Sequence, residues 1–597
     1  MSAHVPGFPK ISRAILAAAL LLPAFARAQD DVDLRAMKDE LTRTMSQVQL
    51  QGMEKPYFAA YRMDDIRQHA ISASLGSLTQ DSPTVMRYVG VEIRVGNPSV
   101  DNTNYFSTRI FGAGPAGILG GIRQAPLDND YQQIRRAFWL ATDAQYKKAL
   151  EDLSAKRAAL AAQNQTTKVP DFTSEPSKVE LDPLSATVVP ADDLKKLARD
   201  LSATFKNSPD LYDSSVDIEA RGDDARYTNS EGSAFTRSQR IIKLEVKAQV
   251  QAADGLPIAD SIDVYGHALA DLPSEDALLA EARAMGERVL KVRSAASLDR
   301  YNGPVLFEGQ AAPELFAQQF ATGLAAVRTP LSDEAGFAQF FDQIMNQLGG
   351  RSFEDKIGGR VLPDFLSVTD NPRIAEYQGL KLMGACSIDD DAVQTQETKL
   401  VEHGLLKTLL STRVPTSATS HSTGSRRDWG PAPSNLLVTN DKPISEADLR
   451  KQLLRLAADR GLPYAIVIRH IGGGSAASFI KMAARMMQQG GQAGASSLAE
   501  VYKVFPDGHE ELVRGVELSD MSSTLFRDIV AAGDTPTVYT DDFIPRVTAI
   551  FSFGISAATQ VPVVSYVAPS LLFDEVSLVH SEGQNPNLPV GPSPLAK

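Results

Sequence analysis

Ile242-Lys-Leu-Glu-Val-Lys-Ala-Gln-Val250 alternates without a break: Ile242, Leu244, Val246, Ala248 and Val250 are apolar, with Lys243, Glu245, Lys247 and Gln249 between them. Successive side chains of a strand point to opposite faces, so this stretch predicts a strand with one face buried and one wet, as antiparallel sheets have. The flanking segments obey another period. Leu194, Leu197 and Leu201 predict a helix over Asp193–Phe205, and Leu278, Ala282, Met285, Val289 and Val292 predict one ending near Ala296. Val216–Ala220 reads as a second strand and Asn229-Ser-Glu-Gly232 as a turn. Antiparallel strands flanked by helices place the chain in the α+β class.

The same periods extend outward. Leu34, Met37, Leu41, Met45 and Val48 form one helical face, Val89 to Val95 alternate as a strand, and Tyr146, Leu150, Leu153 and Leu160 stripe a charged helix over Asp143–Gln163. Asn164–Pro190 is polar, holds four prolines and reads as an exposed connection, with an inner boundary at 164–192. Toward the carboxy end, Val305–Phe307 reads as a strand and Pro313–Ala326 as a helix with proline in its first turn. Beyond Leu362 the text is mostly short strands, such as Val501–Phe505 and Glu510–Val513 around a Pro506–His509 turn. Ser475–Ser497 reads as a helix with a flexible exit. The division that follows is a signal at 1–28, an amino-terminal α/β region at 29–300, a carboxy-terminal domain at 301–583 and a flexible tail at 584–597.

The signal rests on a basic Lys10 and Arg13, an apolar Ala14–Leu22 and an Ala26-Arg27-Ala28 cleavage pattern before Gln29. The apolar run is well short of the ~20 residues of a spanning helix, and no later run reaches that length. The mature protein is thus expected in a bacterial periplasm or outside the cell. The full chain of 597 residues has a net charge of −13. Residues 1–28 hold three basic residues and no acidic one, so their removal leaves −16. No global basic footprint points to nucleic acid. A single cysteine, Cys386, excludes an intrachain disulfide, and the eight histidines bound any metal site.

Candidate chemistry is thin. Gly112-Ala-Gly-Pro-Ala-Gly117 matches a dinucleotide fingerprint, but the helix it needs is broken by further glycines and a proline, which favours a plain loop. His509-Glu510 lacks the second histidine of a zinc-peptidase helix and sits on a turn. Asp389-Asp-Asp391 suggests calcium, yet Leu400 stands where an EF-hand needs glutamate, which favours a turn between strands. His421-Ser422 lies in a polar loop without a nucleophile elbow. Arg426 and Arg427 could bind a carboxylate or form a surface pair, and Cys386, in a strand-like Leu382–Ser387, reads as a core thiol.

Several stretches carry a resemblance. Gly303-Pro-Val-Leu-Phe-Glu-Gly-Gln-Ala311, Arg360-Val-Leu-Pro-Asp-Phe-Leu-Ser-Val-Thr-Asp370, Val401-Glu-His-Gly-Leu-Leu-Lys407, Ser420-His-Ser-Thr-Gly-Ser-Arg426, Val513-Arg-Gly515 and Val567-Ala-Pro-Ser-Leu-Leu-Phe573 follow in order. This series resembles the carboxy-terminal domain of the TldD/PmbA family, and Asn229–Gly232 resembles a feature of its amino-terminal domain. The resemblance implies a two-domain α+β dimer around an enclosed cleft. Its TldD branch implies a zinc peptidase with His-Glu-x-x-x-His on a helix and a cysteine further on; its PmbA branch lacks the motif and serves as a heterodimer partner. On the matching helix, Phe316, Ala317 and Ala321 stand at the His, Glu and His positions, and Gly554 stands near the cysteine. The signal peptide departs from the family's best-known members, which act inside the cell.

The expectation is an exported, non-catalytic member with no cofactor. It would bind a peptide or protein partner as a homodimer or heterodimer, with His421, Arg426 and Arg427 lining the cleft. The alternative is a working zinc peptidase that uses unusual ligands such as His403 and His421 with a carboxylate, or receives its active site from a paired subunit. A third reading is a structural protein whose cleft is closed by bulky side chains around Phe316.

Overall fold

The structure, a computed structural model, describes residues 31–106, 122–164, 168–185, 191–334, 352–427, 430–472, 498–519, 525–543 and 561–581, with a few isolated positions beside them. The signal stretch, the Gly112–Gly117 loop, Ser475–Ser497, Gly554 and most of the tail lie outside the described residues.

The amino-terminal half forms one sheet from β1 (Pro56–Ser74), β2 (Ser77–Asn97), β3 (Val179–Leu181), β4 (Asp213–Asn229), β5 (Ala234–Gln251) and β6 (Pro257–Gly266). The order is β2-β1-β4-β5, and β5 also pairs with β3 and β6. The alternating Ile242–Val250 stretch is the middle of β5, with Val246 opposite Val216 and Ile262. Two pairs of helices cover the sheet's apolar surfaces. α1 (Val32–Gln47) and α2 (Tyr131–Ala162) lay Met37, Leu41, Ile134 and Phe138 on Tyr61, Met63, Val89 and Val91. α3 (Ala191–Ala203) and α4 (Glu275–Ser294) lay Leu194, Leu201, Met285 and Val289 on Val216, Ile218, Val246 and Ile262.

Two expectations need correction. α2 begins at Tyr131 rather than Asp143, because the Asp130 carboxylate caps the amide of Gln133 and Ile134 and Phe138 extend the buried stripe. The stretch read as an exposed connection is partly interior. Asp171 and Phe172 are buried there, Asp171 by pairing with Lys156 of α2, and Val179–Leu181 joins β5 in parallel.

The carboxy-terminal half is strand-rich. Its main sheet contains β7 (Arg300–Phe307), β8 (Leu366–Asp370), β9 (Thr398–Glu402), β10 (Asn435–Asn440), β11 (Ala465–His470), β12 (Glu500–Val504), β13 (Glu510–Arg514), β14 (Ile529–Asp542) and β15 (Val563–His580). The order is β13-β12-β11-β7-β15-β10-β8-β9, with β14 also on β15. β7 alternates between two cores. Val305 and Phe307 enter the larger one, while Leu306 faces Leu449 and Leu453 of the helix Glu446–Asp459. The turn between β12 and β13 closes through Gly508, at φ +89°, where only glycine sits without strain.

Polar pairs and apolar clusters both span the two halves. Lys243 of β5 meets Asp542 of β14 at 2.7 Å, Arg413 meets Glu231 at 2.7 Å, and Arg62 of β1 meets Asp390 at 3.0 Å. Among the described residues no helix is long and apolar enough to cross a membrane.

Candidate functional site

The stretch read as one helix from Pro313 to Ala326 is three kinds of helix in succession. An α-turn runs from Ala311 to Leu315, a π-turn from Phe316 to Phe320 and a 3-10 turn from Ala321 to Leu324. The Ala321 amide donates to the Phe316 carbonyl, a five-residue bond that stacks position 321 on position 316. Two side chains spaced as in His-Glu-x-x-x-His are therefore brought together by this backbone.

Hydrocarbon occupies that place. Phe316, Phe320 and Ala321 are fully buried, and Ala317 packs against the same core. The Phe316 ring lies 5.1 Å from Phe320 and 5.3 Å from Phe526, and Phe320 lies 4.9 Å from Phe353. These are edge-on and tilted contacts of the kind that add stability beyond burial alone. Gly323 makes room for the cluster, because a Cβ there would stand 2.7 Å from the Phe353 ring. Phenyl and methyl groups have no lone pair for a metal and no proton to exchange.

Two residues before Phe316 stands Glu314, part of a charged cluster that the sequence did not single out. His470, at the end of β11, points one ring nitrogen at Glu314 (3.1 Å) and the other at Asp260 of β6 (2.8 Å). Glu314 also accepts the Ile471 amide at 2.7 Å and the Gln310 side chain at 2.7 Å. Arg288 of α4 completes the group on Asp260. Burial opposes a charge on His470, but Glu314 and Asp260 overcome it and hold its pKa well above the usual imidazole value. An imidazolium with both nitrogens engaged has no lone pair left to act as a base. The available signals were slight: a glutamate within an otherwise apolar buried turn, and a histidine closing an apolar strand.

The remaining expected residues lie elsewhere. His421 is exposed, 3.7 Å from Glu175, and His403 is exposed, 3.1 Å from Asp441. Arg426 and Arg427 are only partly exposed and turn inward. Arg426 pairs with Asp391 and lies 3.6 Å from Glu92, and Arg427 donates to Cys386 Sγ and to Ser434 Oγ. Burial works to raise the pKa of Glu92, but Arg94 and Arg426 bring it down to about 2. Cys386 is neither in a strand nor within an apolar core. It is a partly exposed free thiol in irregular chain, held by Arg427 and pushed up in pKa by burial. The Asp389–Asp391 stretch is a turn. Asp389 accepts the amides of Asp391, Val393 and Arg426, and Asp390 and Asp391 take arginines. Among the described residues no group of three or more His, Cys, Asp or Glu side chains could hold a metal ion.

The comparisons with known proteins fit this geometry. A model of the PmbA/TldA metallopeptidase carboxy-terminal domain matches residues 302–580, which span β7 to β15. This carboxy-terminal domain belongs to the TldD/PmbA family. No curated protein matches it. Among solved structures, TldE from Thermococcus kodakarensis is similar at a TM-score of 0.52 and 11% identity, covering 91% of this chain and all of that one. A protein described as a modulator of a DNA gyrase from Thermotoga maritima gives 0.56 and 16%, covering 91% and 99%. Another so described, from Bacteroides thetaiotaomicron, gives 0.51 and 12%, covering 92% and 98%. The likeness thus extends over both halves of the TldD/PmbA fold, at an identity that speaks for the fold alone.

Proposed function

We propose that this TldD/PmbA member is an exported, non-catalytic subunit that binds a peptide or protein partner, as a homodimer or with a related chain. One observation carries the proposal. The π-turn sets positions 316 and 321 together, as two ligands on one helix would need, and fills the place with phenylalanine and alanine. The rings of Phe320 and Phe526 pack on Phe316, and that of Phe353 on Phe320, which supports the reading of a hydrocarbon-filled place. Export rests on the amino-terminal sequence pattern alone. Partnership rests on the family resemblance. The aromatic filling is also what the closed structural reading expects, and partner binding separates the two.

The test is incubation of the mature chain with unstructured peptides, with and without a chelator, alone and beside a candidate family partner. The proposal expects no cleavage that the chelator removes, together with retention of a peptide or partner chain. Chelator-sensitive cleavage by the purified chain would overturn it.

A further inference from the structure

Two groups of opposite charge stand side by side at the junction of the halves with bonding capacity unused. Asp223 of β4 is 3% exposed, and its Oδ1 is buried and accepts no hydrogen bond. Arg221, two residues along β4 and therefore on the same face, has Nε and Nη2 buried and likewise unbonded. These two nitrogens form the edge of the guanidinium that presents two parallel donors. Arg221 Nη2 lies 4.0 Å from Asp223 Oδ2, too far for a hydrogen bond.

The register places this pair in a gap between two points of attachment. Gln239 of β5 is opposite Asp223, and Ile241 is opposite Arg221. To one side of them Arg237, opposite Ala225, binds Asp390; to the other Lys243, opposite Glu219, binds Asp542. Ile241 packs with Met383 and Val563, so residues of the carboxy-terminal half stand across from this face. Glu219, the next residue of the face beyond Arg221, is exposed, and the Arg221 side chain keeps 13% of its surface. The gap therefore opens toward Glu219, with Asp223 at its inner end.

Buried polar groups are nearly always paired, so three orphaned atoms on one face point to a ligand. Along the face one positive charge, Arg221, stands between two negative ones, Glu219 and Asp223, so the gap favours a cation over an anion. We propose that Arg221 and Asp223 receive the amino terminus of a peptide, with its α-ammonium on Asp223 Oδ1 and its first carbonyl oxygen on the Nε–Nη2 edge of Arg221. The ammonium and the carbonyl belong to one residue and are close enough to meet both side chains at once. A carbonyl oxygen has two lone pairs for the two donors. The terminus enters first, and the chain leaves past Glu219. This gives a ligand to the peptide-binding reading above and rests on it.

Retention of short unstructured peptides by the full mature chain tests this. An equal mixture of lysine-free peptides with free and with acetylated amino ends is passed over the immobilised chain at about pH 7, where the α-amino group is charged. The bound fraction is read by mass. Peptides with a free end are expected to be enriched about tenfold or more over their acetylated forms. Asp223→Asn is expected to abolish the enrichment, and Arg221→Gln to weaken retention of both forms. The unmodified chain decides the matter should either variant fail to fold. Equal retention of the two forms would overturn the inference and leave the peptide-binding reading in place. So would an undiminished preference in Asp223→Asn or undiminished retention by Arg221→Gln. Retention of neither form would overturn it too, and the wider reading would then stand or fall with capture of a candidate partner chain.

Discussion

Lys156 shows how much can hang on one side chain. Its ammonium is buried in α2 with the Asp171 carboxylate as its partner and the Thr103 carbonyl at 2.6 Å. Asp171 in turn reaches Arg328 of the other half at 3.3 Å. Removing one member of such a pair strands the other charge. Lys156→Met is expected to cost about 3 kcal/mol, and adding Asp171→Asn should return a large part of it. Urea unfolding of the two variants checks this, and a single-variant loss below about 1 kcal/mol would contradict the reading. Nothing in the local sequence announced this pair. Lys156 reads as one charge among many on a charged helix, and Asp171 as a polar residue between prolines. Their burial exists only because the chain after α2 folds back on it.

At the scale of the element, the π-turn is a packing device rather than a reactive one. Phe316 touches Phe320 and Phe526 and is wholly buried, so truncation should behave as a core deletion. Phe316→Ala is expected to destabilise the chain by about 3–5 kcal/mol, measured as a fall in the denaturant midpoint at unchanged slope. A position held open for a ligand would tolerate the change at far less cost. The strands show what a sequence can disclose at this scale. Ile242–Val250 was legible because one face is buried and the other is not, so chemistry alternates with geometry. The outer part of β2, from Ser77 to Val85, was not. Both its faces are largely exposed, and its place is fixed by pairing with β1, with Ile71 opposite Asp81. The helix 311–324 was legible as apolar and helical, but its change to a π-turn was not, because that depends on aromatic rings from Phe353 and Phe526. The site was readable in what it lacks at 316, 317 and 321, since those are identities. What fills the space is tertiary and was not.

The two halves meet through apolar clusters, such as Ile388 and Ala392 on Phe235, and through charged groups, and one of these makes their contact depend on pH. His470 resists neutralisation. The folded pKa of His470 is raised above 6.5 by Glu314 and Asp260, with burial working against them. Its stabilising contribution is therefore full below the unfolded value and is lost as pH climbs through the folded one. His470→Gln is expected to lower stability by about 3 kcal/mol in mildly acid solution, with the deficit shrinking as the solution turns alkaline. Thermal unfolding of both chains across that range checks it; a deficit independent of pH would show that the charge is not what His470 contributes. At this scale the sequence disclosed two halves and their class. The pairing of Glu314 with His470 and Asp260 could not be read, because each comes from a different element and two lie on opposite sides of the junction.

By the family resemblance, the helix that would hold zinc in the peptidase branch carries Phe316, Ala317 and Ala321 within a hydrocarbon core here. The zinc content of the purified mature chain, measured after dialysis against metal-free buffer, tests it most directly. No zinc in stoichiometric amount is expected, before or after incubation with the ion. One tightly held zinc per chain would contradict it.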